Sequence, residues 1–510
     1  MSTMAAEQQL LKLSEPSLQF GFGQTNPDPR DGLFLFGPLS DQRKPLSMRV
    51  GVVGTLDGIF AYREWVSKIR HYIPAPNLAA AHQFSFPGFE AAFKTSWPEK
   101  PVIEVPVSAS EIAKSIRLSD RHRAIHQTVG LFADPIRRKL REEEIAVDIW
   151  FVVIPDDVYL YGRPLSRVPK SERILIQQTM NQRIARQLQT APSLFEEDMK
   201  AAEIYLHGID FHNQLKARLL LEKITTQIVR ESTLLQPAEV NSGTRLRRLQ
   251  DPATLAWNLC TSSFYKANGR PWKLAKVRER VCYIGIVFKR TSDDLNNGNA
   301  CCGAQMFLDT GDGLVFKGAL GPWYSPSSRE FHLSRSAARA LIEETLKAYW
   351  EEHRSMPEEL FIHGQTYFNE EEWNGFSEAV PSDTCLVGIR IRRSNEMKIF
   401  RPGSHPVLRG SAYRMHSRKA LLWTNGFIPE LDTYPGREVP NPISVEIVRG
   451  EAELGSVLDD IMGLTKMNFN TCIFADGLPV TLRFANAVGE IILSAPREQP
   501  LPPLPFRHYI

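Results

Sequence analysis

Between Leu46 and Pro155, short apolar runs alternate with longer stretches whose apolar positions recur every three or four residues. LSMRVGVVGT at 46–55 reads as a buried strand, IFAYREWVSKIRHYI at 59–73 as a helix, and PVIEVPV at 101–107 as a second strand. Ser119 to Glu144 has helical composition, with Pro135 expected to interrupt it, because proline lacks an N–H and its ring clashes with the preceding turn. IAVDIWFVVIP at 145–155 is the clearest strand of this half. IYLHGI at 204–209 comes next, and a helix over 211–222 follows. Strands alternating with helices, and runs that are apolar throughout rather than every second residue, predict a doubly wound α/β unit with a mainly parallel sheet.

The pattern changes at NGRPWKL, 268–274, where Gly and Pro mark a boundary. VCYIGIVFKR at 281–290 reads as a strand, and AQMFLDTGDGLVFKGAL at 304–320 as a hairpin turning at Thr310 to Gly313. A long helix is expected over 334–354, with Ser334 as its N-cap. ELFIHG at 359–364 and TCLVGIRIRRS at 384–394 are further strands. Strand, hairpin, helix, strand, helix and strand is the order of an RNase H-like core. The expected organisation is an N-terminal arm at 1–45, an α/β domain at 46–267 and an RNase H-like domain at 268–510. Residues 1–45, rich in Pro, Gly, Asn, Asp and Gln, read as an irregular cover rather than a domain.

Composition narrows this only slightly. The 510 residues are 43% hydrophobic and 23% charged, ordinary for a globular chain with room for two to four domains. The net charge of +3 excludes a histone-like polycation, but a small excess can still be gathered in one groove. Six cysteines, with no C-x-x-C pair and with Cys301 and Cys302 adjacent, match neither a disulfide framework nor a usual zinc spacing. Reduced thiols and a cytoplasmic location are expected. Neither a secretory signal pattern nor an 18-residue apolar run is visible, so no membrane span is expected.

Candidate chemistry centres on four polar residues. In FHNQLK, His212 and Lys216 fall one turn apart, about 6 Å along a helix. Gln227 follows in TTQIVRES, and Lys266 in NLCTSSFYKANG. Two ammonium groups, an imidazole and an amide can give several charge-assisted hydrogen bonds to a terminal phosphate. A solvated helix face is the alternative. Gly51, Gly54 and Gly58 are spaced G-x-x-G-x-x-x-G, which fits a tight turn after a strand better than a dinucleotide loop. Asp309-Thr310-Gly311 is the aspartic-protease tripeptide, but it stands once and inside a hairpin turn. In GIRIRRSNEMKIFR, Arg390 and Arg392 share a strand face, with Arg393 and Lys398 nearby. Their partners could be nucleic-acid phosphates or acidic side chains of a neighbouring element.

Together these motifs and their order resemble the MID and PIWI domains of Argonaute proteins over about residues 46–510. In length the chain resembles the short prokaryotic members. The resemblance implies that His212, Lys216, Gln227 and Lys266 hold a guide 5′-phosphate, in a His-Lys version of the motif. VVIP at 152–155 would be the strand before the binding helix, and NLC at 258–260 the approach to the last lysine. It also implies that Ile510 brings a C-terminal carboxylate to the cleft, where Mg²⁺ joins it to the phosphate, since a hard cation prefers such oxygens.

A slicing PIWI domain needs a cluster of acids to hold two metal ions. Under this alignment Val287 follows Gly285-Ile286 where an Asp is required, HGQT at 363–366 contains no acid, and PVTLRFANAVG after Leu478 has neither Asp nor His. The expectation is a catalytically silent module that carries an RNA guide and recognises single-stranded DNA. Short Argonautes of this kind pair with an APAZ-containing effector in defence against plasmids or phage. A TIR NAD-hydrolysing effector is expected first, Sir2 second and a nuclease third. The assembly would be a heterodimer, able to associate further on target binding. The rival is a guide-directed nuclease using Asp293, Asp294, Asp309 or Asp312. A third reading, an unrelated α/β metabolic enzyme, needs a cofactor loop that the sequence does not display.

Overall fold

Ile103–Pro106, Val50–Gly54, Ile149–Ile154 and Thr226–Arg230 lie side by side in that order as a four-stranded sheet, every neighbouring pair parallel. The two central strands are buried along their whole length, as a sheet covered on both faces requires. The computed structural model describes residues 9–41, 44–142, 145–177, 180–235, 250–290, 300–307, 313–321, 324–325, 330–434, 436, 438–496 and 503–510. After the first strand, Thr55 caps helix Leu56–Ile69, its Oγ1 accepting from the Gly58 amide at 2.9 Å. A Cβ on Gly51 would stand 2.8 Å from the Trp150 ring. That glycine therefore permits close strand packing and serves no nucleotide loop.

Two expectations in this half are corrected. Arg121–Glu142 is one helix with Pro135 inside it. The proline forfeits a bond to the Leu131 carbonyl, but Val129, Phe132, Ala133 and Ile136 around it are all buried. Packing of that stripe outweighs a penalty of about 3 kcal/mol. IYLHGI is not a separate element: Ile204 to Leu206 end helix Glu196–Leu206, and His207 is extended. Three acids in the first turn, Glu196, Glu197 and Asp198, favour helix there.

The second half builds a ten-stranded mixed sheet. At its centre Val281–Arg290 runs parallel to Glu359–Gly364, which runs parallel to Cys385–Arg393. On the other side Val281–Arg290 pairs antiparallel with Ala300–Phe307, and that strand with Gly313–Gly321. The hairpin is thus as expected, although Thr310, Gly311 and Asp312 of its turn lie outside the described residues. Helix Arg335–His353 connects hairpin to strand, and Ser334 caps it, with Oγ accepting from the Ala337 amide at 3.3 Å. Beyond Cys385–Arg393 the sheet continues through Ile443–Arg449, Lys419–Trp423 and Ser411–His416, all antiparallel.

The arm is more regular than its composition implied. Leu10–Lys12 extends the ten-stranded sheet beside Ser411–His416, and Leu18–Gln19 pairs with Lys273–Leu274. At the other end, Leu504–Pro505 pairs with Gly313–Gly321. A 3₁₀ turn over Phe506–His508 then leads Ile510 back to the helix that carries Lys216.

Candidate nucleic-acid interface

The helix Phe211–Leu219 begins at Asp210, whose carboxylate accepts from the Asn213 amide at 2.9 Å. Its sequence leaves His212 at the open end of the site and turns Lys216, one turn later, into the interior. Lys216 is buried, and its Nζ donates to the Ile510 backbone oxygen at 2.6 Å. Lys266 ends the helix Pro252–Lys266 and is equally buried. Its Nζ donates to Gln227 Oε1 at 2.8 Å, from the strand Thr226–Arg230. Three elements distant in sequence therefore bring Lys216, Gln227 and Lys266 to one place, and His212 feels the charge of both lysines.

Electrostatics make this cluster unusual. Among the described residues no Asp or Glu side chain pairs with either lysine. Burial pushes the Lys216 ammonium down to about 7. Burial, and then the neighbouring charge of Lys216, push Lys266 well below the ordinary lysine range. Desolvation, then Lys216, lower the His212 imidazole to about 4, although the residue remains open to solvent at the mouth. Buried ammonium groups without a carboxylate side chain beside them are costly. A phosphate dianion would relieve the shared cause of all three shifts.

Proton uptake is the consequence. In the folded chain Lys216 loses its proton as pH rises through about 7, whereas the unfolded chain keeps it to about 10.4. Charging it below 7 therefore costs the folded chain stability, a cost relieved as pH rises between those values. A bound phosphate would restore the proton. Affinity for a 5′-phosphorylated oligonucleotide should then fall by up to about tenfold per pH unit above 7. Calorimetry at pH 8 in buffers of different ionisation enthalpy should register about one proton taken up. Binding that is flat across this range, with no buffer dependence, would remove the lysines from the anion site.

A side-chain network carries the cluster into the second half of the chain. Ser262 Oγ lies 3.2 Å from both Gln227 Oε1 and Asn470 Oδ1, so its single proton can serve one acceptor at a time. Thr225 Oγ1 and His508 Nδ1 are 3.0 Å apart near the returning C-terminal turn. Beside His212 a cavity of about 360 Å³ opens, with Tyr159, Arg163 and Arg230 in its wall. The Arg163 and Arg230 guanidiniums lie 3.8 and 4.2 Å from the centre of the Tyr159 ring. Sequence reasoning missed these three, since neither DDVYLYGR, which holds Tyr159 and Arg163, nor TTQIVRES, which holds Arg230, carries a spacing that announces them.

The other sequence-selected residues are scattered over different surroundings. Arg390 and Arg392 do face the same side of Cys385–Arg393, as the two-residue period requires. Arg390, however, has an acidic neighbour, Glu446 at 3.6 Å, and stacks on Tyr367 at 3.9 Å. Arg392, Arg393 and Lys398 are exposed. At the positions where a nuclease centre would sit, Val287 is buried and His363 Nδ1 lies 2.9 Å from Thr481 Oγ1. Burial lowers His363 to about 3. Among the described residues no group of three or more His, Cys, Asp or Glu side chains could hold a metal ion. Asp293, Asp294, Asp309 and Asp312 lie outside the described residues, as do the side chains of Cys301 and Cys302. No helix among the described residues is long and apolar enough to cross a membrane.

No family model and no curated protein matches the chain. Solved structures do. The Clostridium butyricum Argonaute, bound to a guide DNA and a 19-mer target DNA, matches 98% of this chain with a TM-score of 0.60 at 14% identity. The fold is that of Argonaute MID and PIWI domains. The Aquifex aeolicus Argonaute matches 97% of the chain with a TM-score of 0.54, also at 14% identity. The chain spans about half the length of these Argonautes, 55% and 54% respectively. In an Argonaute-like frame, the parallel four-stranded sheet is the MID-like part and the ten-stranded sheet the PIWI-like part. The buried lysine cluster lies where the first meets the C-terminal turn of the second.

Proposed function

We propose that the chain is a guide-directed recognition module that holds the 5′-phosphate of an RNA guide and presents it to single-stranded DNA. The observation that carries this reading is the pair of buried ammonium groups, Lys216 and Lys266, without a carboxylate side chain to neutralise them. His212 would approach the phosphate from the mouth, and Gln227 would hold Lys266 in place. Base pairing would supply sequence specificity while the protein reads the backbone. Arg392, Arg393 and Lys398 would add exposed positive charge along the PIWI-like sheet, and Arg390 would serve there only by leaving Glu446.

Magnesium enters this reading only together with the phosphate. Ile510 would supply one oxygen, which already faces the Lys216 ammonium, and Gln227 Oε1 faces Lys266. The chain's own donors thus cannot fill an octahedral shell, and phosphate and water would have to provide the rest. The ion would offset repulsion between phosphate and carboxylate.

The module would be catalytically silent and would work through an APAZ-containing partner, first a TIR NADase, in prokaryotic defence against plasmids or phage. Residues 1–45, 46–267 and 268–510 would be its arm, MID and PIWI parts. The test combines purified protein, a 5′-phosphorylated guide and a labelled complementary DNA with Mn²⁺. Tight guide-dependent capture with no cut is the expected result. Guide-dependent cleavage abolished by chelation would establish the nuclease alternative instead, and no oligonucleotide binding would end both.

A further inference from the structure

Three strand ends converge at one edge of the ten-stranded sheet. Lys419–Trp423 is antiparallel to Ile443–Arg449, which is antiparallel to Cys385–Arg393. The exits of the first and third therefore meet the entry of the second. Between them lies a hollow of about 350 Å³ lined by Arg393, Asn395, Asn425 and Asn441, with Thr424 and Ser394 at its base. None of its lining residues is acidic. Two carboxylates adjoin the hollow in sequence: exposed Glu396, whose backbone amide donates to Ser394 Oγ at 3.3 Å, and Asp476, which already accepts from Arg483 at 2.8 Å and from Asn468 at 2.9 Å. Thr424 Oγ1 is committed to the Gly477 carbonyl at 2.8 Å. The three asparagine amides and the Arg393 guanidinium have no hydrogen-bond or ion-pair partner among the described residues. Space at the wall is tight, since a Cβ on Gly477 would come within 2.5 Å of Asn425 Nδ2.

This combination is selective. One guanidinium suits a single phosphate, and no acidic residue lines the hollow itself. Primary amides donate and accept at once, which matches a sugar hydroxyl that does both. A cation site would need carboxylates, which the lining lacks. We infer that this hollow is a sugar–phosphate subsite that prefers ribose to deoxyribose, with Arg393 on the phosphate and Asn425 and Asn441 on the 2′-hydroxyl. The inference rests on the guide-directed reading and adds where RNA would be told from DNA.

The experiment compares RNA and DNA guides of one sequence, both 5′-phosphorylated, by fluorescence anisotropy with the full chain. The double variant Asn425→Ala/Asn441→Ala should lower the RNA-over-DNA preference by about tenfold while DNA affinity holds. Arg393→Ala should weaken both sugars alike and reduce the salt slope by roughly one unit. Both asparagines are exposed, so folding should be unaffected, and a melting curve checks this. Asn441→Ser alone, which keeps a smaller polar group, should give a partial loss. An unchanged RNA-to-DNA ratio, or equal losses for both sugars in the asparagine variants, overturns the subsite. If Lys216→Ala still abolishes the 5′-phosphate preference in that case, the guide-directed reading stands without it. A wild-type chain that binds neither oligonucleotide overturns both.

Discussion

Replacing Lys216 with alanine is expected to weaken binding of a 5′-phosphorylated guide by about 2 kcal/mol, roughly 30-fold, and to leave a 5′-hydroxyl guide almost unaffected. The salt dependence of binding should also flatten by roughly one unit, as one phosphate contact is lost. The structure complicates the experiment in one way. Lys216 also holds the Ile510 oxygen at 2.6 Å, so alanine leaves that acceptor unpaired and opens a void. Lys216→Met keeps most of the volume while removing the charge and the donor to Ile510 together. Both variants should show the same selective loss for the phosphorylated guide, whereas alanine, which adds the void, should lower the melting temperature further than methionine. Equal losses for the two guides would make Lys216 a structural anchor for the C-terminal turn.

Much of the fold was legible because its strands announce themselves. VGVVG and IWFVVI are apolar at every position, which only a sheet covered on both faces tolerates, and ELFIHG was placed to the residue. Ser334 before an apolar periodicity marked a helix start that the structure reproduces. Pro135 misled because a local penalty was weighed without the buried stripe around it. IYLHGI misled because six residues are too few to separate the end of a helix from a strand. The strands between Ser411 and Arg449 were missed for a different reason. Ser411–His416 and Ile443–Arg449 are half-exposed strands that intersperse Arg, Ser and Glu, and their apolar content falls below what an isolated segment would reveal.

The candidate site divides in the same way. Lys216 and Lys266 were found by order and spacing, but nothing in the sequence tells that both are buried. That burial sets an ordinary pair of lysines in the interior without a carboxylate side chain beside them. Gln227 gains its meaning only from the parallel register that sets Thr226–Arg230 beside Ile149–Ile154 and under the Lys266 helix. The asparagines of the PIWI-like hollow were invisible, because three loops separated by tens of residues contribute one or two side chains each. Arg390 shows the converse. The two-residue period placed it correctly on a face, but its acidic neighbour Glu446 comes from a strand that sequence reasoning had not drawn.

Removing the Glu15 carboxylate should be the most damaging single change to stability, although nothing in the arm's composition singles it out. Glu15 accepts from Arg409 Nε at 2.9 Å and from Lys466 Nζ at 2.7 Å, and both cations are buried. Lys466 further lies 3.9 Å from the centre of the Phe474 ring, and Arg409 Nη2 donates to Thr465 at 2.8 Å. Glu15→Ala would strand two charges in the interior and should cost about 3–5 kcal/mol. The sign of its pH dependence follows from the carboxyl group. Burial alone would raise it, but Arg409 and then Lys466 overcome that and hold it below the ordinary 4.5. Its stabilisation is therefore present above that value and is lost as pH falls through the lower folded one. Wild type and variant should converge in urea titrations as pH falls through that lowered value and diverge most near neutrality. Glu15→Gln, which keeps the shape and drops the charge, should lose most of the same stability at pH 7. Limited proteolysis should cut the arm near Leu10–Lys12 sooner in both variants, because that edge strand depends on the anchor beside it. A loss below about 1 kcal/mol, or one unchanged as pH falls from neutrality through that lowered value, would mean that strand pairing and not the buried ion cluster holds the arm.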